Sequence, residues 1–272
     1  MSSGRQQQQL VFFNDHSIIP ETSDEDSSIV GIISESPGTS AAWLVATLIE
    51  NSLQGSANHI NSELSKRRIK SPTLFISFKH VGDFYKKLCK RNGVDLATIK
   101  DFQYVDLFTD LFTKHIPSGT TTAATNKHLT SMFDNVIGGI KSTPVIFVEY
   151  PEILLTTTDI SPNELLVQLD RLCKLSSRTF VLLSTDRTLI DFSLTDSSDP
   201  VFKVSDFISK LYHRSNINIY CQPLATGRAN DLTGTLCISR GPNVIEPRTL
   251  NVASRDYLYH INRDGNVKLY LR

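Results

Sequence analysis

Val145-Ile146-Phe147-Val148-Glu149 is an unbroken β-branched and aromatic run that ends in an acid. A strand that is apolar on both sides must be covered on both, as a central strand of a parallel sheet is. Ile29–Ile33, Pro72–Phe78 and Phe180–Leu183 read the same way, and helix-compatible segments lie between them. The expected fold is therefore α/β, around a mostly parallel central sheet.

The helical segments carry their own signals. Ala41–Leu53 is apolar on most sides, as a helix packed tightly on a sheet must be. Val81, Phe84 and Leu88 fall on one face of an amphipathic helix. Ser161, Pro162 and Glu164 form an N-cap, a first-turn proline and a capping box ahead of Leu165, Leu166, Leu169 and Leu172. A further helix is expected near Met132–Ile140 behind a Thr-rich mobile loop, Ser118–Thr125, and another over Phe202–Tyr212.

After about residue 185 the pattern changes. Ile217–Cys221, Leu232–Arg240, Tyr257–Ile261 and Val267–Leu271 read as strands with little helix between them. Leu232, Gly234, Leu236 and Ile238 alternate with Thr233, Thr235, Cys237 and Ser239, the mark of a half-buried antiparallel strand. Asp264-Gly265 reads as a hairpin turn. These strands are expected to extend the same sheet, giving one domain over 10–272 behind a polar, flexible tail at 1–9. Leu10–Phe13 reads as a short strand ahead of the acidic Glu21–Ser28 segment.

Lys+Arg 28 against Asp+Glu 28 leaves no global field to draw the chain to nucleic acid or membrane, so an electrostatic partner must meet a local patch. The N-terminus has no apolar core of a secretory signal, and no apolar run nears the ~20 residues that span a bilayer. Cys89, Cys173, Cys221 and Cys237 are widely spaced without a CxxC pair, which argues against zinc and a disulfide framework and for a reducing compartment.

The segment Ser28–Trp43 has the order strand, small-residue loop, helix N-terminus, which is how phosphate-binding P-loops begin. Its chemistry is missing. Aligning Gly38 with the second glycine of GxxxxGK[ST] puts Ile33 at the first glycine, Thr39 at the lysine and Ser40 at the magnesium hydroxyl. Ser34 and Glu35 fall inside the loop, where the Glu35 carboxylate opposes phosphate, and Pro37 removes a backbone N–H. Glu149 stands where the acid of a second nucleotide motif would be, and equally where a polar residue leaves the sheet. Self-contained ATP hydrolysis is not expected, and no cofactor or metal is expected either. No GxSxG, HExxH or GxGxxG occurs; His80 beside Lys79 and His213 beside Arg214 read as solvated or capping residues.

From Lys66 to Arg91 lie nine basic residues, among them Lys86, Lys87, Lys90 and Arg91, opposed by Glu63 and Asp83. That asymmetry makes the stretch a candidate RNA contact, with a solvated helix face as the plain alternative.

Five segments resemble, in order, the sixth subunit of Elongator, the eukaryotic complex that modifies wobble uridines of transfer RNA. They are Leu10–Pro20 (LVFFNDHSIIP), Val145–Leu155 (VIFVEYPEILL), Pro223–Gly234 (PLATGRANDLTG) continuing to Ser239-Arg240-Gly241, Tyr257-Leu258-Tyr259, and Lys268–Arg272. The resemblance covers nearly the whole chain and is weakest at 51–70 and 113–128. It implies a RecA-like fold without the phosphate-binding motif. It also implies a heterohexameric ring with Elongator subunits four and five, two copies of each, that binds tRNA and hydrolyses ATP as an assembly. The other Elongator subunits follow as partners, and the location implied is cytoplasmic, with nuclear presence of the complex. In such rings Arg228 and Arg240, flanking an antiparallel hairpin, would face a neighbouring subunit. The competing readings are a RecA-like recombination mediator acting on DNA and a nucleotide-hydrolysing enzyme with an unusual loop.

Overall fold

A computed structural model of the chain describes residues 6–20, 28–58, 60, 70–185, 190, 191, 193, 196–227, 229, 231–245 and 250–272. The chain begins with a two-residue edge strand, β1 (Gln7–Gln8), and enters the middle of a sheet at β2 (Ile29–Glu35), followed by α1 (Ala42–Gln54). Next come β3 (Thr73–Ser77), α2 (Gly82–Arg91) and β4 (Phe102–Asp106), then α3 (Leu107–Asp110), a π-helical turn (Leu111–His115) and α4 (Thr122–Gly138). The alternating part closes with β5 (Val145–Glu149), α5 (Ile153–Thr157), α6 (Pro162–Lys174), β6 (Arg178–Ser184) and α7 (Pro200–Arg214). Four strands end the chain: β7 (Ile217–Gln222), β8 (Gly234–Arg240), β9 (Arg255–Ile261) and β10 (Val267–Leu271).

The strands form one sheet in the order β1-β10-β9-β8-β7-β2-β6-β5-β3-β4. Pairing is parallel from β7 to β4 and antiparallel from β7 to β1. The alternation within β5 shows why its run is continuously apolar. Val145 and Phe147 join the core beneath α1 and α2, while Ile146 and Val148 join a second core on the side of α4, α6 and α7.

One register line holds the parallel half together. Tyr104, Phe75, Phe147 and Phe180 lie side by side on β4, β3, β5 and β6, with ring centroids 5.3, 5.7 and 5.4 Å apart. Near-parallel aromatic pairs of this kind each contribute about 0.5–1.5 kcal/mol beyond burial. The ladder stops at Gly31, in register with Phe180 on β2, where a Cβ would stand 2.7 Å from the Phe180 ring. Glycine is there to admit the ring.

Three expectations change. Leu10–Phe13 is a buried loop segment: Phe12 and Phe13 both donate to the Ser17 carbonyl, and only Phe13 bridges, to Val252. Leu10, Phe12 and Phe13 belong to the same core as Tyr257 and Tyr259 of the antiparallel half. Thr122–Thr125 belongs to α4, so the Thr-rich loop ends earlier than its composition suggests. On α2 the buried residues are Tyr85 and Cys89, with Leu88 half-buried and Val81 and Phe84 exposed. Tyr85 is turned inward by its hydroxyl, which donates to Glu149 at 2.6 Å. Of the tail at 1–9, Gln7 and Gln8 pair with Tyr270 and Leu269. Among the described residues no helix is long and apolar enough to cross a membrane, and the four cysteines are free thiols.

Candidate functional site at the carboxyl ends of the parallel strands

β2, β3, β5 and β6 run parallel, so their carboxyl ends open at one edge of the sheet, where α/β proteins place their sites. Glu35, Ser77, Glu149 and Ser184 are the last residues of these strands.

The loop after β2 is a tight turn. Thr39 N–H donates to the Ser36 carbonyl at 3.1 Å, with Pro37 and Gly38 at the two central positions. Gly38 has φ 85°, as the third position of a type II turn requires. The Thr39 hydroxyl donates to the same Ser36 carbonyl at 2.7 Å and to that of Cys221 at 3.2 Å, tying the turn to β7. Ser40 Oγ accepts from Ala42 N–H at 3.2 Å. Ser34 lies on the strand, its hydroxyl 2.5 Å from that of Tyr212 on α7.

Glu35 turns back over this loop. Its Oε2 accepts from Ala41 N–H at 2.7 Å, at the N-terminus of α1. Its Oε1 accepts from Lys79 Nζ at 2.7 Å and from the Tyr150 hydroxyl. Burial works against the charge, but the Ala41 amide, Lys79 and the Tyr150 hydroxyl outweigh it and hold the carboxyl below its usual range. The Lys79 ammonium also sits 3.9 Å from the centroid of the Tyr150 ring. Tyr150 has φ 57°, a left-handed backbone that costs a non-glycine residue ~1–3 kcal/mol and is sustained here by its contacts.

Glu149, 1% exposed, anchors a second cluster. It accepts from the Ser77 hydroxyl and from Tyr85, and the Nδ1 of His80 lies 2.9 Å away. Tyr104 donates to the His80 carbonyl at 2.5 Å, and Phe84 stacks on the His80 ring at 4.0 Å. Burial, then the Glu149 charge, pushes the Tyr85 hydroxyl well up. Glu152, three residues on, is buried as well, and burial raises its carboxyl to about 8 despite the Ser184 N–H that it accepts at 2.8 Å.

Glu35 and Glu149 thus belong to one polar site. Lys79, His80, Tyr85, Tyr150 and Glu152 complete it; of these the sequence offered only Lys79, as one of the nine basic residues of the candidate RNA stretch, and His80, as a solvated or capping residue. Register brings them together: Ser77 pairs with Glu149, so the residues just after each strand meet, and no local sequence signal reports that pairing. Among the described residues no group of three His, Cys, Asp or Glu side chains could hold a metal ion.

The other candidates lie apart. Lys86, Lys87, Lys90 and Arg91 are exposed on α2. Lys90 pairs with Asp95 at 3.2 Å and Lys86 approaches Asp83 at 4.0 Å. The Arg91 guanidinium lies against the β9–β10 turn, 1.9 Å from where a Cβ on Gly265 would be. Lys66, Arg67 and Arg68 lie outside the described residues, as does Arg228. Arg240 pairs with Ile217, which is level with Gly31. That is the end of the sheet away from the Ser36–Ala41 loop.

No protein-family model matches the chain. It is 25% identical to Elongator complex protein 6 of Saccharomyces cerevisiae, over 98% of this chain and 98% of that one. It is also 25% identical to the Elongator complex protein 6 homolog of Schizosaccharomyces pombe, over 75% of this chain and 80% of the relative. A KaiC-like protein of the archaeon Pyrococcus horikoshii superposes with a TM-score of 0.50 at 10% identity, covering 90% of each chain, which shows the fold. The resemblance to Elongator subunit six is borne out, and so is the RecA-like α/β architecture.

Proposed function

We propose that the chain is a non-catalytic RecA-like subunit of Elongator that joins subunits four and five, two copies of each, in a heterohexameric ring. The ring binds tRNA and supports wobble-uridine modification, in the cytoplasm and with access to the nucleus. The observation that carries this is the end-to-end similarity to Elongator complex protein 6, 98% of both chains.

The loop geometry supports the non-catalytic part. A P-loop presents free amides and a lysine to phosphate. Here the Ala41 amide and the Lys79 ammonium are both held by the Glu35 carboxylate, and Ser40 accepts from its own helix. Phosphate entering this place would meet a carboxylate that its neighbours keep ionised. The loop has the outline of a nucleotide site and the wiring of a structural turn.

Three measurements test the proposal. The native mass of the complex, with its co-purifying chains identified, should fit a six-membered ring containing Elongator subunits four and five. Purification with DNA-recombination partners would overturn it in favour of a mediator. ATP hydrolysis by the isolated chain should be absent, and activity there would overturn the non-catalytic reading. Within the ring, Arg228→Ala or Arg240→Ala should lower ATPase without loss of assembly if either arginine reaches a neighbour's nucleotide.

A further inference from the structure

Beside the polar site a cavity of about 320 Å³ opens between the ends of β5 and β6 and the first turns of α7. Ile153, Ile190, Val201 and Val204 make its walls largely apolar. Glu152 is the acid among its lining residues. It is 6% exposed, and while Oε1 accepts from Ser184 N–H, Oε2 has no hydrogen-bond partner among the described residues. A buried polar atom left unpaired costs ~1–3 kcal/mol, so an acid kept in this position invites a partner.

The surrounding charge says which kind. Three acidic side chains, Glu35, Glu149 and Glu152, converge at the strand ends. The ammonium among them, Lys79, is committed to Glu35 and stacked on Tyr150. Lys79 eases the charge on Glu152 and Glu35 opposes it, while Glu149 is met by Ser77, Tyr85 and His80. Of the three acids, Glu152 is the one with an oxygen left unpaired among the described residues.

We propose that this cavity receives a guanidinium or alkylammonium group on an apolar stem, with Glu152 as its counter-ion. Methylene stems pack on aliphatic walls while the charged head seeks an acid, and pairing removes the cost of a lone buried carboxyl. The same chemistry is available from an arginine or lysine of a neighbouring subunit and from a free polyamine. The assignment rests on the cavity and not on the ring.

The test uses the full chain with agmatine as probe, by titration calorimetry in buffers of different ionisation enthalpy. Because burial holds Glu152 protonated to about pH 8, binding at neutral pH should release close to one proton, and affinity should rise with pH toward 8. Glu152→Gln keeps an oxygen for Ser184 N–H and loses the countercharge. Its agmatine affinity should fall at least ~10-fold with no proton release and an unchanged far-UV circular dichroism spectrum. No binding at ~10 mM agmatine, or equal binding by the variant, overturns the assignment. Repeating the titration on the purified assembly separates the sources. Blocked binding there, with weaker assembly of the Glu152→Gln chain, identifies a partner's side chain. Unchanged binding identifies a free amine.

Discussion

Glu35 joins three elements through one side chain: it caps the start of α1, pairs with Lys79 beyond β3 and accepts from Tyr150 beyond β5. Its side chain is 13% exposed, so these bonds form in a low-dielectric place where unmaking them is costly. Glu35→Ala should therefore lower stability by ~1–3 kcal/mol at neutral pH, read from chemical denaturation. The pH dependence has a definite sign. A carboxyl held below its usual range contributes stability above that range and loses it as pH falls through the lowered value. The gap between wild type and Glu35→Ala should narrow below about pH 4.5, and a gap that widens on acidification would contradict this wiring. Glu35 was legible in the sequence as a charge in the wrong place for phosphate. What holds it was not, because Lys79 and Tyr150 are 44 and 115 residues away and meet it only through strand order.

At the scale of elements, period and capping were readable because they are local. The box at Ser161 forms as its spacing demands, with Glu164 N–H donating to Ser161 Oγ and Ser161 N–H to Glu164. On α2 the buried residues are Tyr85 and Cys89 rather than the expected face of Val81, Phe84 and Leu88, because Tyr85 makes a tertiary contact with Glu149 that local spacing does not encode. Phe84 is exposed on the helix that also carries the exposed Lys86, Lys87 and Lys90. If the assembly binds tRNA as proposed, charge reversal of the three lysines should weaken that binding and flatten its salt dependence by ~2–3 in slope, since each phosphate contact contributes just under one. An unchanged slope would remove α2 from the RNA surface. In the sheet, Gly31→Ala should cost ~1–3 kcal/mol by overpacking, because its Cβ would press on the Phe180 ring from within a central strand. Gly38→Ala meets no atom within 4 Å, so any cost there comes from its φ of 85° alone.

For the whole molecule, the question is whether the parallel and antiparallel halves fold as one unit. The class of each half was visible in its patterning, continuous apolar runs against alternating ones, but their connection was not, since strand order is a long-range property. β7 provides it: parallel to β2 on one side and antiparallel to β8 on the other, it carries a single core from Phe147 to Tyr259 and Leu269. Trp43, the chain's one tryptophan, sits on α1 with its ring 5.2 Å from that of Tyr259, so its fluorescence reports the contact between α1 and the antiparallel strands. Helical circular dichroism reports the parallel half, where α1 to α7 lie. With one sheet and a shared core there is no boundary at which either half could open alone, and we infer one cooperative domain over residues 10–272. Fluorescence and circular dichroism should then give the same midpoint and slope in urea, as two-state unfolding requires. Earlier loss of the tryptophan signal would mean that β8 to β10 detach first and that the chain is two units sharing an edge.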